Sequence, residues 1–283
     1  MEFLPAKELV DSAYHDGYAV PSFCVWNAET TEAVLQAAAD FRAPVMIMSG
    51  PSEFEVFPPG VMAEIARAMA KKYDVRAALH LDHGDSPELA DRCMAAGYTS
   101  VMLDYSTRPF EENAAALKTL AGRCRSGRVS VEGELGAVGR VDDGPGEGSK
   151  TSTLTAPADA VEYVRRTGVD MLAVSIGNAH GLYTSRPSLD FALLAELRRS
   201  VPLPFVLHGG SGTPADDLQK AIGLGIAKVN VASELCRAIR DSFEDQWKAD
   251  RSRWLPLTYA GTKKALAPVV EKWIRITGAA GRA

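Results

Sequence analysis

The sequence predicts an α/β protein, a closed (β/α)8 TIM barrel with an extra C-terminal helix. Three observations predict it. Eight short apolar runs alternate with eight longer amphipathic ones, the pattern of parallel strands joined by crossover helices. The short runs are apolar throughout and bounded by turn residues, as strands buried on both faces are. The chain has 283 residues, and one such barrel takes about 250 residues. No composition shift, repeat or low-complexity tract divides it, so residues 1–283 are read as a single domain. A doubly wound open sheet is the alternative arrangement of the same units.

The elements follow in order. A strand over 19–23 (AVPSF) leads to a helix over 28–40, where Ala33, Leu35 and Ala37 sit among polar neighbours. The strand over 44–49 (PVMIMS) precedes a helix over 58–72 that opens on Pro58-Pro59, and proline is tolerated in a first helical turn. The strand over 76–82 (RAALHLD) is followed by a helix over 87–96, with Ser86 as N-cap, Pro87 at the first helical position and Gly97 just beyond the end. The strand over 100–105 (SVMLDY) feeds a helix over 109–126, and RVSVEGEL (128–135) is the fifth strand. The longest gap follows and contains GRVDDGPGEGSKTS (139–152), a Gly- and Ser-rich loop expected to be mobile. Then come a helix over 157–167, a strand over 171–178 (MLAVSIGN) and a helix over 188–199. A strand over 204–210 (PFVLHGG), a helix over 214–223, a strand over 226–233 (IAKVNVAS) and a helix over 233–248 close the barrel. The tail GTKKALAPVVEKWIRITGAAGRA, from Gly261 on, reads as the extra helix.

A net charge of −5 and a pI near 5.6 offer no basic footprint for nucleic acid or an acidic membrane surface. No stretch approaches the roughly 20 apolar residues of a membrane span. The N-terminus lacks the basic-then-apolar build of a secretory signal. Cys24, Cys93, Cys124 and Cys236 are scattered without a Cys-x-x-Cys pair, which reads as reduced thiols in a cytoplasmic protein.

Active sites of such barrels lie at the C-terminal ends of the strands, and the polar residues fall there. Strand three ends in Asp82-His83, strand four in Asp104, and strand five in Glu132 and Glu134. Strand six ends in Asn178 and His180, strand seven in His208-Gly209-Gly210-Ser211, and strand eight in Asn230 and Ser233. The chain has five histidines. Any one alone reads as a satisfied core or loop residue. His83, His180 and His208 together, at matching strand ends, read as a catalytic metal set gathered by one wall of the barrel mouth. His80, inside strand three, reads as a core or supporting residue. LHGGSG (207–212) and NVAS (230–233) follow strands seven and eight, where this fold binds phosphate on glycine-rich backbone and helix N-termini.

These residues resemble the class II, zinc-dependent ketose-bisphosphate aldolases, which include fructose- and tagatose-bisphosphate enzymes. The similarity runs nearly end to end, through AVPSF and NAET (19–30), LHLDHGD (79–85), MLDYSTRPFEEN (102–113), VEGELG (131–136), TGVDMLAVSIGNAHGLY (167–183), FVLHGGSG and KVNVASEL. The resemblance implies reversible aldol cleavage of a ketose 1-phosphate or 1,6-bisphosphate to dihydroxyacetone phosphate and an aldehyde. It implies that His83, His180 and His208 hold Zn2+, with Asp104 and Glu134 as alternative ligands, and that Asp82 is the catalytic acid/base. Gly209, Gly210 and Ser211 match one half of a phosphate cradle, and Asn230, Val231, Ala232 and Ser233 the other. Gly181, Gly209 and Ser211 fall where some members bind a monovalent cation, Na+ or K+. A homodimer or homotetramer is also implied.

The chain departs from the family pattern at three places. Members usually carry Gly-Gly-x-Glu after strand five, with the glutamate as carbon base; here Arg140 replaces a glycine and Asp142 stands in the glutamate's place. Cys24 stands where an asparagine is common, and Asp104-Tyr105-Ser106 replaces Asp-Gly-Ser. Two other readings stay open: an aldolase with a different aldehyde half, such as an inositol-pathway or modified-sugar substrate, and a non-catalytic barrel that binds metal and sugar phosphate. Asp82 argues against the second, since a binder has no use for the acid.

Overall fold

The computed structural model describes residues 2–125, 128–141, 152–183 and 185–283. Asp142, the expected carbon base, lies outside them, as does most of the Gly- and Ser-rich loop.

Helix α1 (Ala6–Asp16) leads into β1 (Val20–Cys24), α2 (Ala28–Asp40), β2 (Val45–Ser49) and α3 (Pro59–Ala70). Next come β3 (Ala77–Gly84), α4 (Pro87–Ala95), β4 (Ser100–Leu103), α5 (Phe110–Cys124), β5 (Ser130–Leu135) and the two-residue β6 (Gly139–Arg140). The chain continues through α6 (Pro157–Thr167), β7 (Met171–Val174), the two-residue β8 (Ala179–His180), α7 (Phe191–Ser200), β9 (Phe205–Leu207) and α8 (Ala215–Gly223). It ends with β10 (Ile226–Val231), α9 (Ser233–Ala249) and α10 (Leu255–Ile276).

Eight strands close a barrel in the order β1-β10-β9-β7-β5-β4-β3-β2, and every pairing is parallel. The reason is visible in the strands. β1, β2, β4, β7, β9 and β10 are buried at every position, so helices must cover the outer face while side chains fill the inside. Caps set where the helices begin. Asn27 and Thr30 form a reciprocal capping box at α2, Ser86 accepts from the Leu89 amide at α4, and Asp190 accepts from the Leu193 amide at α7.

Three elements differ from the sequence-based expectation. Helix α1 was not expected; its buried stripe is Ala6, Leu9, Val10 and Ala13, and Gly17 ends it in the left-handed region at φ 73°. It closes the N-terminal end of the barrel: the Leu4 amide donates to the Ala77 carbonyl and the Lys7 amide to Ser130 Oγ at 2.8 Å. The expected strand over 171–178 divides, because Gly177 adopts φ 97° and Asn178 Oδ1 accepts from the Ile176 amide, which turns the chain. The two residues beyond, β8, then pair in parallel with β6 as a separate ladder, Gly139 opposite Ala179 and Arg140 opposite His180. The final helix begins at Leu255, earlier than the expected Gly261, because Pro256 is accommodated in its first turn. It is tied to α2 by Glu32, which accepts from Lys263 at 2.6 Å and Lys72 at 2.7 Å.

Candidate active site

Residues two apart on a strand share a face, and three such pairs point into the barrel: His80 and Asp82 on β3, Glu132 and Glu134 on β5, Lys228 and Asn230 on β10. They build two layers. In the lower one, fully buried, Lys228 Nζ donates to Glu132 Oε2 at 2.8 Å and lies 3.4 Å from His80 Nε2. In the upper one Asn230 Nδ2 donates to Asp82 Oδ1 at 2.9 Å.

His83 would point away from this interior in a regular strand, since it follows the inward-facing Asp82. The register between β3 and β4 slips between Leu81 and Gly84, so β3 carries one extra residue. His83 takes φ 46°, one of two positive values among the described non-glycine residues. A bulge of this kind re-aims a side chain beside a functional site. Asp82 and His83, adjacent in sequence, thereby both reach the mouth.

The three expected histidines meet there. His83 Nε2 lies 3.2 Å from His180 Nε2 and 2.9 Å from His208 Nδ1. One ring nitrogen from each lies within 4.8 Å of the other two. They do not share one wall, as the sequence suggested. β9 and β7 are neighbours, but β5 and β4 separate β7 from β3, so His83 faces the other two across the mouth.

Two of the three rings are oriented from behind through their second nitrogen. His83 Nδ1–H donates to Asp104 Oδ2 at 2.7 Å, which leaves Nε2 toward the centre. His208 Nε2–H donates to Glu132 Oε1 at 2.8 Å, which leaves Nδ1. Imidazole ligands held by carboxylates through their second nitrogen are the usual arrangement around a divalent metal. Nitrogens bound at about 2.0–2.1 Å in a tetrahedron stand about 3.4 Å apart, close to the separations found. Glu134 Oε2 is buried with no hydrogen-bond partner among the described residues, 3.8 Å from His208 Nδ1. An orphaned carboxylate oxygen beside three convergent imidazoles fits a cation site. His83, Asp104 and Glu134 form a second cluster with ligand-like spacing.

Without an ion the cluster is electrostatically strained. Burial opposes a charge on His83, but Asp82, Asp104 and Glu134 outweigh it and push its imidazole up to about 10. Burial, and then the His83 charge, bring His180 down to about 4, and the same two causes lower His208. Burial and the Asp104 charge push Glu134 up to about 8. Asp104, despite burial, is held below its ordinary value by the hydrogen bond from His83.

Beside the histidines a cleft is lined by Met48, Asp82, His180, Gly181, Gly209, Ser211, Asn230, Ala232 and Ser233. Six of the eight expected substrate-binding positions line it. Of the other two, Gly210 packs on β10, where a Cβ would sit 2.6 Å from the Asn230 carbonyl oxygen, and Val231 belongs to the apolar core. Gly209, at φ 63°, passes so close to the Ala179 carbonyl that any side chain would overlap it. Tyr183 joins these loops: its hydroxyl accepts from the Ala179 amide at 2.8 Å and donates to the Gly209 carbonyl at 3.2 Å. Glu234 accepts from the Gly212 amide, from Lys272 Nζ and from Trp273 Nε1, tying the glycine loop to α10.

Sequence reasoning missed the supporting roles of Glu132, Lys228, Tyr183 and Glu234. A signal existed for the first two: each is charged within an apolar strand run, and a buried charge needs a partner.

Among known sequence families, the one described as class-II fructose-bisphosphate aldolase matches residues 5–282. The chain belongs to the class II fructose-bisphosphate aldolase family. It is therefore an aldolase, a carbon–carbon lyase. A curated relative from Klebsiella oxytoca, the D-tagatose-1,6-bisphosphate aldolase subunit GatY, is 40% identical over 285 residues, covering 100% of both chains. The crystal structure of the YdjI aldolase from Escherichia coli K12 superposes with a TM-score of 0.88 at 33% identity, covering 99% of each chain. The fructose-bisphosphate aldolase of Campylobacter jejuni, at 22% identity and a TM-score of 0.82 over 100% of this chain and 97% of that one, shares the fold.

The aldolase site must give up protons to take up a metal. The surrounding carboxylates push the His83 imidazole up to about 10, so it carries a proton at neutral pH that it must release for Nε2 to bind. Metal uptake at pH 7.5 is expected to release at least one proton per site, and affinity to rise with pH toward 10. Calorimetric titration of a divalent metal into metal-free protein, in buffers of different ionisation enthalpy, checks this; a heat independent of buffer contradicts it.

Proposed function

We propose that this aldolase is zinc-dependent and cleaves a ketose 1,6-bisphosphate, with tagatose 1,6-bisphosphate first among candidates, to dihydroxyacetone phosphate and a phosphorylated aldehyde. The observation that carries this is the convergence of His83, His180 and His208 beside Asp82. The Klebsiella relative, matched over its full length, supports the sugar.

His83, His180 and His208 would hold Zn2+, with Asp104 and Glu134 as alternative ligands, and the ion would supply Lewis-acid chemistry to the ketose half. In cleavage, Asp82 takes the proton of the C4 hydroxyl as the C3–C4 bond breaks and the aldehyde departs. The electron pair left on C3 then takes a proton, with Asp142 proposed as its donor. In condensation both transfers reverse. Asn230 orients Asp82 through the 2.9 Å hydrogen bond to Oδ1, so the other oxygen is available for the substrate proton.

Gly209, Gly210 and Ser211 from one loop and Asn230, Val231, Ala232 and Ser233 from the other hold the C1 phosphate on backbone amides and the start of α9. A monovalent cation, Na+ or K+, at Gly181, Gly209 and Ser211 would complete that cradle. The second phosphate is assigned to Arg140. Its register opposite His180 puts two side chains on one face of the small ladder, and the arginine is solvent-exposed. The departures at Arg140 and Asp142 also favour a second reading, the same chemistry on a different aldehyde half.

The chain is proposed to act as one barrel domain in a homodimer or homotetramer. Trp254, Leu255, Leu257 and Tyr259 support it: these four large apolar side chains are exposed around the start of α10, Trp254 to 72%. Its four free cysteines suit the cytoplasm.

Three variants test the roles. His208→Ala is expected to lose zinc and cleavage together. Asp82→Ala should keep the metal and lose at least ~10²-fold in kcat; full activity would refute the proton role. Arg140→Ala should raise KM for the bisphosphate at least ~10-fold while leaving a ketose 1-phosphate unaffected, a loss typical of one charge-assisted contact. Equal effects on both substrates would remove Arg140 from the site. The wider test is an aldehyde panel with dihydroxyacetone phosphate, with product chirality read each time.

A further inference from the structure

Lys228 has no place in the chemistry above, yet it is among the largest fully buried side chains of the protein. Its ammonium donates to Glu132 Oε2 at 2.8 Å and lies 3.4 Å from His80 Nε2; His80 Nδ1 in turn lies 2.8 Å from Ser100 Oγ. Glu132 Oε1 accepts from His208 at 2.8 Å. Ser100, His80, Lys228, Glu132 and His208 therefore form one hydrogen-bonded line across the barrel floor, drawn from β4, β3, β10, β5 and the end of β9. All five side chains are fully buried.

Stability is a weak explanation for such a line. Buried ion pairs are commonly no better than apolar residues of the same volume, and the floors of barrels of this fold are usually filled by branched aliphatic side chains. We propose that Lys228 is a positioning residue for the metal site, acting through Glu132 to commit Nδ1 of His208 to the ion. The argument runs through donors and acceptors. Glu132 Oε2 accepts from Lys228 Nζ at 2.8 Å and Oε1 lies 2.8 Å from His208 Nε2, so the carboxylate takes the acceptor role toward Nε2–H. With Nε2 protonated, the lone pair of His208 is on Nδ1, the atom 2.9 Å from His83 Nε2. A neutral amide in place of Glu132 presents an N–H as readily as a carbonyl, so it no longer selects the tautomer.

The inference rests on the proposed three-histidine metal site, and the experiment separates the two. Zinc affinity is measured by competition with a chromophoric chelator on the unsubstituted protein and on Lys228→Met/Glu132→Gln, which removes both charges and conserves volume. The double variant is expected to bind zinc 10- to 100-fold more weakly, with the melting temperature of the metal-free form not lowered. An affinity within about threefold of the unsubstituted protein's, against that 10-fold minimum, overturns the inference and leaves the metal site standing. Failure of the unsubstituted protein to retain zinc overturns both. A second measurement needs no variant. Nitrogen-15 spectra of histidine-labelled, zinc-loaded protein should show His208 protonated at Nε2 and metal-bound at Nδ1. The opposite assignment overturns the inference even if the double variant does not fold.

Discussion

The structure depends on bringing three imidazole lone pairs to one point from strands that are not neighbours. Only a closed sheet does this with short loops: β3 faces β7 and β9 across the barrel, and all three release their polar tips at the same end. The convergence is costly without an ion. The surrounding carboxylates favour a charge on His83 while burial disfavours one on His180 and His208, Glu134 Oε2 has no hydrogen-bond partner among the described residues, and His83 sits in a left-handed backbone conformation. Local rules broken together at one place, within a chain that otherwise obeys them, mark a functional site.

Around this point the barrel is graded. Its N-terminal end is shut by α1 and apolar contacts. The floor beneath the mouth carries the buried charged line from Ser100 to His208. The mouth carries Asp82, Asn230, the three histidines and the glycine loop. Polar ties join the loops at the mouth. Tyr183 joins the loops after β8 and β9, and Asn178 Nδ2 donates to the His208 carbonyl at 3.0 Å. Glu234 anchors the glycine loop to α10, so the C-terminal helix, outside the barrel, still bears on the shape of the cleft beside the histidines.

Much of this was legible in the sequence because the strands are apolar at every position and end abruptly in polar residues. The eight barrel strands, the seven helices between them and the helix after the last fall where the alternation predicts, although β7 ends earlier than the run over 171–178. The three histidines stood out by rarity and position. What was not legible depends on geometry that a linear pattern does not carry. The bulge at His83 leaves no mark beyond two successive polar residues and a glycine. The turn at Gly177–Asn178 divides a run that reads as one strand. Lys228 is one charge in IAKVNVAS and gives no hint of which of several carboxylates it meets. Helix α1 does leave a mark, an apolar spacing of Ala6, Leu9, Val10 and Ala13 closed by Gly17, but it precedes the first strand and so lies outside the strand–helix alternation.

X-ray absorption spectroscopy of the zinc-loaded protein tests the central claim most directly. The account predicts three imidazole ligands at about 2.0–2.1 Å with lighter oxygen scatterers completing the shell, and loss of one imidazole in His180→Ala. A shell with sulfur in it, or with fewer than three imidazoles, would contradict it.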